Sequence, residues 1–128
     1  MSLQTSQYPL RIIALGDMMS QLNKKYVFHI PLFKYQDNNL QPIEIDDLLD
    51  DLINQLTDNG FENLYMTKVK GFYKSRCFDE LLITLFTPDD QTPQITFEKW
   101  FRNNNGILEQ EEFAYECNNK LIIEKLFK

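Results

Sequence analysis

The run Phe78-Asp79-Glu80-Leu81-Leu82-Ile83-Thr84-Leu85-Phe86 constrains the fold more than any other stretch of the chain. In an extended backbone Leu81, Ile83 and Leu85 face one way, and Leu82, Thr84 and Phe86 the other. Both sides are apolar, so both need cover, and the segment over Phe78 to Thr87 reads as an interior strand. Leu64 to Lys74 is a second extended run, separated from it by the short polar Ser75-Arg76 stretch. That pattern predicts an antiparallel hairpin.

Such a sheet needs helices to seal at least one face. Ile43 to Leu56 supplies one, with Ile45, Leu48, Leu49, Leu52, Ile53 and Leu56 spaced by threes and fours along one stripe. Its polar side holds Glu44, Asp46, Asp47, Asp50 and Asp51, and Gly60 is placed to cap its C-terminus. A second helix follows the loop Pro88 to Pro93. Thr92 can cap it, Pro93 can begin it, Ile95, Phe97, Trp100 and Phe101 form its apolar side, and Asn103-Asn104-Asn105-Gly106 is expected to stop it.

Tyr26 to Phe33 is β-branched and aromatic and reads as a strand, with Pro31 at an edge or bulge because it cannot donate to a ladder. Asp37-Asn38-Asn39 carries turn chemistry, and Pro42 introduces the next element. Residues 111–127 are ambiguous. Phe113, Tyr115 and Cys117 alternate with polar neighbours before an Asn118-Asn119 turn and Leu121-Ile122-Ile123, which favours a hairpin, although Phe113, Cys117 and Leu121 could also share a helical face. At the other end residues 1–8 are polar and patternless and are expected to be disordered. Pro9 to Lys24 reads as an extra N-terminal helix, with a strand at Leu10 to Leu15 as the competing reading.

The central elements run β-α-β-β-α-β. The expected fold is therefore α+β, a ferredoxin-like sandwich with an antiparallel sheet, forming a single domain over 9–128. Two helices would cover one sheet face and leave the other to pair with something.

Charge and composition narrow the partners. Nineteen Asp and Glu against thirteen Lys and Arg give a net charge of −6, which repels nucleic acid and anionic lipid on average. No window approaches the roughly 18 apolar residues of a membrane span, and no secretory leader pattern precedes the domain. Two cysteines, Cys77 and Cys117, suit reduced thiols in a cytoplasmic protein better than a disulfide framework. They lie too far apart, without paired His or Cys, to suggest a structural metal site, and no glycine-rich phosphate loop or dinucleotide fingerprint implies a cofactor.

Three groups of residues are candidates for function. Lys68, Lys70, Lys74 and Arg76 would share one strand face as a basic stripe on an acidic protein. Asp46, Asp47, Asp50 and Asp51 form an acidic helix face, which could equally be a solvated surface. His29 is the one histidine, the default general base at neutral pH, and Tyr73, Arg76 and Glu80, with Tyr35 and Asp79, could converge on it if the open sheet face forms a pocket. A packed strand histidine is the plainer alternative.

Lys70-Gly71-Phe72 resembles the opening of the basic-glycine-aromatic motif of RNA-recognition-motif domains, and Val27-Phe28 with Leu32 resembles its first-strand companion. Lys74, Ser75 and Cys77 stand where that motif has aromatic and aliphatic residues. With the negative net charge, this argues against RNA binding. The surplus of apolar and aromatic residues points instead to a non-enzymatic domain that forms a homodimer or binds a protein partner. The alternatives are a small cofactor-independent enzyme or ligand binder with a pocket near His29, and an acidic inhibitor or immunity-type protein whose helix plugs a basic site.

Overall fold

A computed structural model describes residues 22–73, 75–88 and 90–126. In chain order they form β1 (Lys24–Pro31), β2 (Phe33–Gln36), β3 (Asn39–Pro42), α1 (Asp46–Asp58), β4 (Leu64–Tyr73), β5 (Arg76–Thr87), α2 (Thr92–Leu108), β6 (Glu112–Cys117) and β7 (Lys120–Lys125). The fold is mixed α+β. Five strands make an antiparallel sheet in the order β4-β5-β1-β6-β7, and β2 and β3 pair separately. Among the described residues no helix is long and apolar enough to cross a membrane.

The two-faced run lies where its composition requires, since β5 is enclosed between β4 and β1. One face of the sheet is sealed by the helices. There Tyr26, Phe28 and Ile30 of β1, Ile83 and Leu85 of β5, and Phe113 and Tyr115 of β6 meet Leu52 and Leu56 of α1 and Phe97, Trp100, Phe101 and Leu108 of α2. The register sets Tyr26 opposite Leu85 and Phe28 opposite both Ile83 and Tyr115, which puts these side chains on the helix side. Val27, His29, Leu82, Thr84 and Glu116 then occupy the side that no helix covers among the described residues, called the helix-free side below.

Turn chemistry fixes three of the connections. Asp37 and Asn38 (φ 54° and 65°), and Asn118 and Asn119 (φ 50° and 68°), adopt left-handed pairs that match the twist of two-residue hairpins. Residues 111–126 thus form a hairpin, not a helix. Gly60, at φ 92°, follows the last turn of α1 as expected of a C-terminal glycine.

Two elements depart from the sequence reading. The strand expected over Tyr26 to Phe33 breaks at Leu32, so Pro31 ends a central strand rather than lying at an edge, and Phe33 begins a second hairpin. Helix α2 runs straight through Asn103-Asn104-Asn105-Gly106 to Leu108. The helical penalty of one glycine is about 1 kcal/mol, less than the roughly 1.5–3 kcal/mol from burying a leucine, and Leu108 is fully buried. The helix ends one residue later, where Glu109 turns left-handed (φ 53°) and the Asn105 side chain bonds both the N–H and the C=O of Gln110. The expected disordered residues 1–8 and most of the expected helix over 9–24 lie outside the described residues; its last position, Lys24, opens β1.

Candidate functional site

At the centre of the helix-free side the His29 ring lies between two carboxylates from the neighbouring strands. Its Nε2 is 2.8 Å from Glu116 Oε2, and its Nδ1 is 3.6 Å from Glu80 Oε1. The register explains the grouping. Glu80 sits diagonal to His29 across the β1–β5 ladder, and Glu116, opposite Val27, sits diagonal on the β6 side. All three side chains are half-buried, at 21%, 26% and 32% exposure.

The carboxylate of Glu80, opposed by burial and reinforced by Glu116, raises the His29 pKa above its ordinary value. With one carboxylate against Nε2 and a second 3.6 Å from Nδ1, protonation of the ring is favoured more than in a free histidine. The protonated ring ties three strands together, with carboxylates from β5 and β6 on either side of β1. Because the folded pKa is the raised one, the stability it adds is complete below the unfolded histidine value of about 6.5 and is lost as pH rises through the folded value. Urea titrations between about pH 5 and 9 should show the wild-type midpoint falling over that window relative to His29→Gln. Parallel profiles for the two proteins would mean that the tie contributes nothing.

The other proposed partners of His29 lie elsewhere. Arg76 is four residues before Glu80 on β5, about 13 Å away at the usual strand rise, and its guanidinium lies 4.8 Å from the centre of the Tyr35 ring. Tyr73 stands opposite Arg76 at the end of the hairpin. Asp79 is on the helix side of the sheet, where Lys70 Nζ donates to its Oδ1 at 2.7 Å and Lys68 Nζ is 3.9 Å from its Oδ2. Lys70 holds the Asp79 carboxyl below its usual range, and Asp79 in turn raises Lys70.

The basic stripe is therefore divided. Numbering parity would put Lys68, Lys70 and Arg76 on one face, but the register pairs Tyr73 with Arg76, and the intervening two-residue turn reverses the parity. Arg76 faces the helix-free side while Lys68 and Lys70 face the helix side, and Lys74 lies outside the described residues. Lys70-Gly71-Phe72 falls on the border strand β4, with Phe72 78% exposed near the hairpin end. Asp46, Asp47, Asp50 and Asp51 are all exposed on α1, and Asp51 Oδ2 accepts a hydrogen bond from Gln55 Nε2 at 2.9 Å. Among the described residues no group of three or more His, Cys, Asp and Glu is arranged to hold a metal ion.

Glu116 escaped sequence reasoning because its contact with His29 spans 87 positions. The available signal was the alternation of Phe113 and Tyr115, which puts Glu116 on the opposite side from the core, but its neighbour depends on which strand β6 joins.

No family model and no curated protein matches the chain. Among solved structures it is similar to a phage SAM lyase in complex with S-methyl-5′-thioadenosine, at TM-score 0.55 and 11% identity over 84% of this chain and 95% of that one. The same type of enzyme in its apo state gives TM-score 0.48 at 11% identity over 84% and 95%. A DUF3240 family protein from Shewanella baltica OS155 gives 0.45 at 13% identity over 77% and 89% of the two chains. At this identity the likeness to the phage enzyme is one of fold, a small α+β architecture shared over nearly the whole of that chain.

Proposed function

We propose that the chain is a non-enzymatic interaction domain of the ferredoxin-like class, acting as a homodimer joined through the helix-free side of its sheet. The strand order β4-β5-β1-β6 supports the class, with β7 and the β2–β3 hairpin as additions. One observation carries the dimer: Leu121 and Ile123 lie next to each other on the helix-free side of β7, 57% and 53% exposed, whereas the opposite side of the sheet is sealed by two helices. Neighbouring apolar side chains left in water at a sheet border are typical of a surface used for contact. Free Cys77 and Cys117 fit a reducing, cytoplasmic setting for such a domain.

Light scattering should return twice the chain mass at about 100 µM, a concentration that populates contacts of micromolar affinity. The double variant Leu121→Asp/Ile123→Asp should weaken association at least about tenfold, as loss of a central apolar contact does. A wild-type monomer throughout the concentration range would end this reading.

The grouping of His29, Glu80 and Glu116 favours a second reading, a small enzyme or ligand binder at that cluster. Because the fold is similar to that of a SAM lyase, SAM is the first compound to try. The interaction reading expects no S-methyl-5′-thioadenosine from SAM. Its formation by the wild type, and its loss in Glu116→Gln, would replace that reading with the enzymatic one.

A further inference from the structure

The geometry of β7 points to a second copy of this chain as its occupant: we infer that β7 pairs antiparallel with β7 of the partner copy, centred on Ile122. The inference rests on the homodimer reading but places the contact at the β7 border, where Leu121 and Ile123 of the two copies meet side by side, and gives its register.

The backbone fixes which groups are available. Leu126 N donates to Glu111 O at 2.9 Å, so mutually bonded pairs recur at every second step of this ladder, at Phe113–Glu124, Tyr115–Ile122 and Cys117–Lys120. The N–H and C=O groups of Leu121, Ile123 and Lys125 therefore point away from β6. β7 is the border of the sheet among the described strands, and all its residues except Ile122 are exposed.

Only registers that set these outward groups against one another can form a ladder, so the two-fold axis must pass through a residue. An antiparallel strand paired with itself is isologous, and each contact occurs twice. Centring on Leu121 opposes Lys120 to Ile122, and centring on Ile123 opposes Ile122 to Glu124 and Leu121 to Lys125. Centring on Ile122 opposes Lys120 to Glu124 twice, Leu121 to Ile123 twice, and Ile122 to itself. In that register alone, opposite charges meet and apolar side chains meet on both faces.

The other border is poorly suited to the same use. Lys68 and Lys70 share one face of β4, and self-pairing centred on Val69 would set lysine against lysine, a common protection of sheet edges. The two borders thus differ in kind. The β7 seam would make one continuous sheet from two copies, with Leu121 and Ile123 of each covered by the other on the helix-free side.

The test uses the full chain. Lys120→Glu and Glu124→Lys should each raise the dimer dissociation constant by roughly tenfold, because each turns two attractive pairs into two repulsive ones, and their combination should restore it to within about threefold. Ile123→Pro removes an outward N–H without touching a β6–β7 bond and should abolish the dimer while circular dichroism stays unchanged. In a Cys77→Ser/Cys117→Ser background, Ile122→Cys should oxidise to a disulfide-linked dimer and Glu124→Cys should not, since only position 122 faces itself. If the wild type is a dimer but the combined charge variant is as weak as either single one and Ile122→Cys stays uncrosslinked, the seam is wrong and the contact through the helix-free face stands. A monomeric wild type overturns both.

Discussion

Phe97→Ala is expected to lower the unfolding free energy by about 3–5 kcal/mol, a large share of the roughly 5–15 kcal/mol that holds a domain together. Phe97 is completely buried and is the hub of the aromatic core. It stacks on Phe28 at 4.4 Å and on Trp100 at 6.0 Å, and meets Phe101, Phe113 and Tyr115 edge-on at 5.8, 5.8 and 6.3 Å. These rings come from β1, β6 and α2, so truncation would open a void bounded by separate elements that cannot all close on it. Phe97→Leu, which keeps most of the volume, should cost only about 1–1.5 kcal/mol. Urea unfolding followed by fluorescence of Trp100 reads both variants. A loss under about 1 kcal/mol for the alanine variant would show that the cluster does not set the stability of the sheet–helix interface.

The two faces of α1 should respond in opposite ways. Leu52 and Leu56 are fully buried, and alanine at either is expected to cost about 2–5 kcal/mol. Asp50→Asn and Asp51→Asn, on exposed positions, should stay within about 0.5 kcal/mol of wild type. Asp46 and Asp47 occupy the first turn, where a negative charge interacts favourably with the helix dipole, and each asparagine variant there should lose about 0.3–1 kcal/mol at low salt. If instead the four carboxylates contacted a basic partner, reversing them to lysine would abolish that complex while leaving the fold intact. Survival of the complex would confine them to a solvated face.

The parts of the fold that could be read in the sequence are those set by local chemistry. The doubly apolar stretch around Leu81 to Phe86 could only be an interior strand, the stripe from Ile45 to Leu56 could only be one side of a helix, and Asn118-Asn119 already had the residues of a left-handed turn. Where local and tertiary preferences compete, the reading failed. Asn103 to Gly106 are weak helix formers, yet Leu108 beyond them finds a fully buried position and carries the helix through. The site was less legible still. Arg76 changed face because of a two-residue turn, and the grouping of His29 with Glu116 depends on a strand pairing that no local pattern encodes.

β1 is the innermost strand, yet its partners are residues 80–87 on one side and 115–117 on the other. During synthesis Tyr26, Phe28 and Ile30 therefore emerge long before anything can flank them. One border of β1 stays open until β5 has been made, and the other until the C-terminal hairpin arrives, when Asn118 N can bond Lys25 O and Lys25 N can bond Asn118 Oδ1. A nascent chain cut short before residue 112 would lack β6 altogether and would display an uncovered apolar strand edge of the kind that chaperones bind and neighbouring ribosome products stick to. The last turn of the hairpin is thus also the point at which the earliest of the described strands stops being sticky.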